Sequence, residues 1–232
     1  GSVTLEDVSS SFTCLGLWGP KARKILEKVT KADVSNEGFP YMTARRITVG
    51  DILVLALRVT YVGELGWEFY GPMEYGGRLW DTLWEAGQPE GLVAAGYKAI
   101  DSLRLEKAYR YWSYEISPDY TPLEAGLGYF VKFDKGDFMG KEALLKQKEA
   151  GLKRKLCCMT LADKPTIALG KEPIRLAGSG EIISWVASGG YGYSVQESIV
   201  YAYLPIQYSK AGTELEIEFF GENVKAVVVR MP

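Results

Sequence analysis

The sequence predicts an α+β layer up to about Gly151, followed by a small all-β domain of antiparallel barrel type. Three observations carry this. Apolar residues recur at helical spacing in several N-terminal segments, with strand-like runs between them. Helical periodicity then stops after Gly151. Beyond that point six strand-like runs follow one another, separated by Gly, Pro, Ser and Asn.

Ser10 to Trp18 reads as a strand that Gly19-Pro20 breaks. Ala22, Ile25, Leu26 and Val29 fall on one helical face, and Asn36 to Pro40 is loop. Arg45–Val49 and Ile52–Val59 read as two strands of a hairpin turned at Gly50-Asp51. The run ILVLALRV in the second is apolar on both faces, which suits a central strand covered on two sides. Met73, Gly77, Trp80 and Trp84 mark a helix ending at Gly87, and a second helix is expected from about Ala94 to Tyr111. Pro118 and Pro122 break the chain. A strand is expected at Tyr129–Phe133 and a short polar helix at Lys141–Lys148.

The second domain, residues 152–232, is expected to hold strands at Lys155–Leu161, Pro173–Leu176, Ile182–Ala187, Ser198–Leu204, Glu214–Phe220 and Val224–Arg230. Glu214, Glu216 and Glu218 alternate with Leu215, Ile217 and Phe219, the pattern of a half-buried strand. Asp163–Lys171 reads as a loop around Pro165 and Gly170.

Composition narrows the chemistry. The 232 residues are 47% hydrophobic and 24% charged, ordinary for a globular chain of one large or two small domains. Net charge is 27 − 29 = −2, without the basic excess that nucleic-acid binding needs. No apolar run approaches the roughly 20 residues that span a bilayer. Neither nucleic acid nor membrane is therefore expected as a partner. Gly1-Ser2 reads as a cloning remnant. Cys14, Cys157 and Cys158 fit a reducing compartment, and the adjacent pair is expected to point to opposite faces of one strand.

There is no histidine. That excludes Ser-His-Asp and Cys-His catalysis and histidine metal sites within these residues, and with three scattered cysteines no metal site is expected. The chemistry falls to carboxylates, tyrosines, lysines or a bound cofactor.

Three stretches are richer in Gly, Tyr and acids than a scaffold needs. In Tyr61-Val62-Gly63-Glu64-Leu65-Gly66-Trp67-Glu68 the glycines let backbone approach a ligand. An aromatic and a carboxylate could there grip a flat heterocycle with an amidine-like edge. Taken alone, the same residues read more simply as a hairpin with a surface glutamate. In the helix Ile100 to Tyr109, Asp101, Arg104 and Lys107 are spaced for an ion-pair network. Ser188-Gly189-Gly190-Tyr191-Gly192-Tyr193-Ser194 reads equally as a bulged turn or as a pocket-lining loop.

YVGELGWE, Leu103-Arg104-Leu105-Glu106, Pro122-Leu123-Glu124-Ala125-Gly126-Leu127, KGDFMGKEAL (135–144) and SGGYGYS occur in an order that resembles the glycine-cleavage T-protein (aminomethyltransferase) family. Lys107 to Trp112 and Tyr201-Ala202-Tyr203-Leu204-Pro205 look closer to the C-terminal folate domains of dimethylglycine and sarcosine dehydrogenases and oxidases. The resemblance implies a tetrahydrofolate site with a pterin-contacting Tyr61, a pterin-edge carboxylate at Glu68 and a pocket tyrosine at Tyr109. It leaves the catalytic residue unknown. It implies FAD only in a full-length parent, not in these residues. As partners it implies folate with a small methylated amine or an aminomethyl donor, and a flavin domain or subunit.

Two departures qualify the resemblance. Ile100 stands where the family has an arginine, with Arg104 or Arg110 as substitutes. The family's N-terminal segment, with its aspartate, has no counterpart, so residues 1–151 are expected to form only part of the family's folate domain. The function implied is one-carbon transfer from an amine donor to tetrahydrofolate. The alternative is a non-catalytic folate-binding or structural module of an amine oxidase. The compartment expected is the cytoplasm, with the mitochondrial matrix as the alternative.

Overall fold

The computed structural model describes residues 2–162 and 167–232; Gly1 and residues 163–166 of the expected Asp163–Lys171 loop lie outside the described residues. The chain forms two compact units, Gly1–Tyr97 and Lys98–Pro232.

The first unit contains β1 (Phe12–Trp18), α1 (Ala22–Leu26), β2 (Ala44–Val49), β3 (Ile52–Leu57), β4 (Gly66–Pro72) and α2 (Gly76–Gly87). The strands form one antiparallel sheet in the order β1-β4-β3-β2. Val49 pairs with Ile52, and Gly50 makes that tight turn at φ +62°. Leu17, Ile47, Val49, Val54, Trp67 and Phe69 share one buried cluster with Ile25 and Leu26 of α1 and Leu79 and Leu83 of α2. Alternation along each strand sends the next residues to the opposite face.

That alternation corrects the expectation for ILVLALRV. β3 is central in its pairing, yet only Ile52, Val54 and Ala56 are buried. Leu53 and Leu55 are 56% and 41% exposed, because the helices pack on the other face. The strand ends at Leu57, and Arg58 turns inward: its guanidinium donates to the Phe39 carbonyl at 2.6 Å and to Asn36 Oδ1 at 2.6 Å.

The second unit takes up α3 (Tyr97–Glu106) and α4 (Lys141–Ala150), then β5 (Arg154–Leu161), β6 (Pro173–Leu176), β7 (Ile182–Gly192), β8 (Glu197–Pro205), β9 (Glu214–Phe219) and β10 (Glu222–Val229). α3 is shorter than its periodicity predicts. Ala108 adopts φ +53°, and the Tyr109 amide turns back to the Arg104 carbonyl at 3.0 Å, a left-handed stop.

The expected strand at Tyr129–Phe133 does not form. Gly128–Phe130 is a single 3-10 turn, with Tyr129 80% and Phe130 70% exposed. β-prone residues still need a strand to pair with, and this segment joins neither the sheet nor the closed barrel. The six strands close in the order β10-β5-β8-β7-β6-β9, every pair antiparallel. Among the described residues, the helical content after Arg154 is one 3-10 turn, Ile206–Tyr208.

Met159, Val186, Val200, Ala202, Leu204, Leu215, Ile217, Ala226 and Val228 fill the barrel. Leu105, Ala108 and Ala125 pack outside it against Leu156, Cys158, Ile199, Tyr201 and Tyr203. β8 is therefore buried on both faces from Ser198 to Leu204. Cys157 belongs to the inner cluster and Cys158 to the outer one, as their adjacency in a strand requires, and both thiols are free.

Candidate functional site

In the first unit the YVGELGWE stretch is the loop of the β3–β4 hairpin and the start of β4, as the plain reading expects, but its glutamate is half-buried, not on the surface. Its shape has local causes. Thr60 Oγ1 accepts from the amides of Val62 and Glu64, each at 3.2 Å, and Gly63 takes φ +77°. Both ends are stitched to the end of β1: Trp18 Nε1 donates to the Val59 carbonyl at 3.1 Å, and the Gly19 amide to the Leu65 carbonyl at 2.8 Å. Tyr61 lies half-buried within this loop.

Glu68 is half-buried in the middle of β4, on the face away from the helices. Its sheet neighbours are Gly16 on β1 and Leu57 on β3, neither of them charged. One carboxylate oxygen, Oε2, accepts the Tyr70 hydroxyl at 2.9 Å. Among the described residues no ion pair involves Glu68. An interior-strand carboxylate without a cation is unusual, since charge removed from water is normally paired.

The second unit uses its polar residues otherwise. Arg104 is 4% exposed and donates through Nη1 to Glu115 Oε1 at 2.7 Å; Glu115 is 1% exposed. Glu115 Oε2 accepts the Tyr111 amide at 2.8 Å, Ser188 Oγ donates to Oε1, and the Glu115 carbonyl accepts the Tyr203 hydroxyl at 2.7 Å. The expected network of Asp101, Arg104 and Lys107 along α3 is therefore replaced: Arg104 is spent on a loop carboxylate eleven residues away, and Asp101 is exposed. Arg110 donates to the carbonyls of Ala108 and Ala125 at 2.6 and 3.1 Å. Of the two arginines that stood as substitutes at Ile100, Arg104 thus holds the Glu115 carboxylate and Arg110 holds backbone carbonyls.

Tyr109 is half-buried directly after the left-handed stop, and its carbonyl accepts from Arg104 Nη1 at 3.2 Å. The stretch Ser188–Ser194 divides: Ser188–Gly192 is strand, while Tyr193 and Ser194 begin the turn to β8, so the bulged-turn reading holds in part. The strand part forms the end of β7, after a bulge between Val186 and Ser188. Its glycines let α3 lie against the barrel: a Cβ on Gly190 would meet Leu105 Cδ1 at 2.7 Å, and one on Gly192 would meet Glu106 Cγ at 3.2 Å. Ser102 Oγ donates to the Tyr191 carbonyl at 2.6 Å, Tyr201 OH to the Leu105 carbonyl at 2.7 Å, and the Ser194 amide to Glu106 Oε1 at 2.8 Å. Ser102, Leu105 and Glu106 thus dock α3 on the barrel that follows it.

Sequence reasoning missed Tyr70, Trp18 and Glu115. The first could have been found by counting two along the strand from Glu68. No local pattern marks Glu115, because its side-chain partners besides the Tyr111 amide come from α3 and β7.

Comparison with known proteins agrees with this architecture. The GCVT N-terminal domain matches residues 1–135, and the glycine cleavage T-protein C-terminal barrel domain matches residues 154–232. The chain is 42% identical over 231 residues to the mitochondrial dimethylglycine dehydrogenase of Homo sapiens, covering 99% of this chain and 26% of that protein. It is 39% identical to an aminomethyltransferase of Caldanaerobacter subterraneus, over 98% of this chain and 60% of the relative. The crystal structure of glycine cleavage system aminomethyltransferase T from Bartonella henselae superposes with a TM-score of 0.83 at 26% identity, over 95% of this chain and 59% of that one. The chain thus spans about a quarter of the dehydrogenase and about three fifths of the aminomethyltransferases.

Proposed function

Since the chain belongs to the glycine-cleavage T-protein family, we propose that its first unit holds the pterin end of a reduced folate through Glu68 and Tyr61. The observation that carries this reading is the half-buried Glu68 carboxylate, held by a phenol and paired with no cation among the described residues. Such a group is matched by a neutral partner offering two N–H donors, as the amidine-like edge of a pterin does. The carboxylate has about four acceptor sites, of which Tyr70 takes one. Tyr109 of the second unit carries its own expectation of ligand contact, tested by its own substitution.

Bound tetrahydrofolate supplies the nucleophilic nitrogen that takes up a one-carbon unit. The residues here bind and orient it, and with no histidine in the chain the proton on that nitrogen is not theirs by imidazole. In a longer parent we place the source of the one-carbon unit in a flavin domain that oxidises a methylated amine, because 42% identity extends over nearly all of this chain to a dimethylglycine dehydrogenase. The mitochondrial matrix is the compartment that goes with this parent. We also place the functional boundary of the barrel module after Gly151, where α4 ends and φ reaches +79°; cleavage between Gly151 and Lys155 in limited proteolysis tests it.

Calorimetry of the full-length protein with 5-formyltetrahydrofolate tests the site. Glu68→Ala is expected to cost about 2–4 kcal/mol of binding, the loss of a charge-assisted pair. Unchanged affinity would move the site away from Glu68. Formation of methylenetetrahydrofolate from dimethylglycine or sarcosine separates the enzyme from a non-catalytic folate-binding module.

A further inference from the structure

The outer face of β4 carries a group of residues that the sequence motif only half contains. Gly66, Glu68 and Tyr70 succeed one another on that face, opposite Trp18, Gly16 and Cys14 of β1. Gly16 contributes no side chain, and the Trp18 ring takes its place. A Cβ on Gly16 would lie 2.3, 2.4 and 2.8 Å from Cη2, Cζ3 and Cζ2 of that indole, and one on Gly66 would meet its Cδ1 at 2.5 Å. Directly opposed strand positions are about 5 Å apart, so the indole lies beside the Glu68 side chain. Its Nε1 is anchored on the Val59 carbonyl, and the residue stays half-exposed. A half-exposed, pinned aromatic next to an acceptor is the pairing that a flat, hydrogen-bonding heterocycle needs.

Tyr70 supplies the second element. Its hydroxyl donates to Glu68 Oε2 at 2.9 Å. Burial, reinforced by the neighbouring Glu68, pushes the ionisation of this phenol above its ordinary range, so it remains a donor. A glutamate free to turn about three torsions is thereby fixed at one oxygen before any ligand arrives.

We propose that Tyr70 is a positioning residue that orients Glu68 towards the donor edge of the ligand, and that Trp18 is the wall against which the ring lies. The proposal rests on the reading of Glu68 given above and extends it by two residues.

The test is a set of variants of the full-length protein, titrated with 5-formyltetrahydrofolate: Glu68→Gln, Tyr70→Phe, their double, Trp18→Leu and Trp18→Phe. Tyr70→Phe is expected to weaken binding roughly 5- to 10-fold, with a shift of the unfolding midpoint no larger than the loss of that one hydrogen bond gives. In the Glu68→Gln background the same change should cost little, because there is no carboxylate left to orient. Trp18→Leu is expected to weaken binding by a similar factor, with Trp18→Phe restoring most of it. Ligand quenching of tryptophan emission should shrink in Trp18→Phe. Equal losses from Tyr70→Phe in both backgrounds would overturn the positioning role, and wild-type affinity in Trp18→Leu would overturn the wall. Full affinity in Glu68→Gln would take down the reading of the site itself; a loss there with none in Tyr70→Phe and Trp18→Leu would leave that reading standing and remove only the proposal.

Discussion

Removing the Glu115 carboxylate is the sharpest test of how the second unit holds together. Arg104 and Glu115 are 4% and 1% exposed, so neither charge has recourse to water. In Glu115→Ala the guanidinium keeps the Tyr109 carbonyl at 3.2 Å and the face of the Tyr111 ring but no charged partner among the described residues, and the Tyr111 amide and Ser188 hydroxyl lose their acceptor. Stranding one member of a buried ion pair costs about 3–5 kcal/mol. Orphaned buried donors cost about 1–3 kcal/mol each, so the two routes to the magnitude agree. The assay is chemical denaturation of the full-length protein, with amide exchange of β7 and β8 reporting on this unit. An apolar replacement of both partners, Arg104→Met with Glu115→Leu, should recover the part of the loss due to the stranded charge, while the Tyr111 amide and Ser188 hydroxyl still lack their acceptor. A cost for Glu115→Ala below about 1 kcal/mol would refute the reasoning, as would a double variant worse than the sum of the singles.

Three further outcomes are expected. Gly189→Ala should cost about 1–3 kcal/mol by overpacking, more than Gly190→Ala in thermal unfolding. Its Cβ would meet the Ala168 carbonyl at 2.6 Å, which is backbone, whereas that on Gly190 meets the tip of Leu105. Glu90 bonds Lys28 and Lys24 at 2.8 and 2.9 Å, and these contacts lower its pKa from 4.5 to about 2. Because the folded value is the depressed one, its stabilising contribution is complete above about pH 4.5 and is lost as pH falls through about 2. Carboxyl NMR titration should show Glu90 moving back towards 4.5 in Lys28→Ala. Finally, Phe220 is 85% exposed at φ +49°, followed by Gly221 at φ +83°, in the two-residue turn between β9 and β10. Phe220→Asn should stabilise by about 0.5–1 kcal/mol in denaturant unfolding, since asparagine tolerates left-handed backbone and phenylalanine does not.

The sequence by itself determined what depends on near neighbours along the chain. Alternation of Glu214, Glu216 and Glu218 with Leu215 and Ile217 marked a strand, and Leu215 and Ile217 are indeed buried. Gly50-Asp51 carried its hairpin, because a tight turn is fixed by the few residues within it. The order of the motifs was enough to place the chain in its family. Only the tertiary structure decided where each group's partner stood. β3 could not be known to bury one face until the helices were seen on one side, and Tyr129–Phe133, for all its β-prone residues, pairs with no strand of the sheet or the barrel. The helix ion-pair pattern around Arg104 was real spacing, but burial gave the guanidinium a stronger partner in Glu115, a loop residue without any local mark. Glu68 shows the same division: the motif named it, while register and the strand's twofold period brought Gly16, Trp18 and Tyr70 beside it.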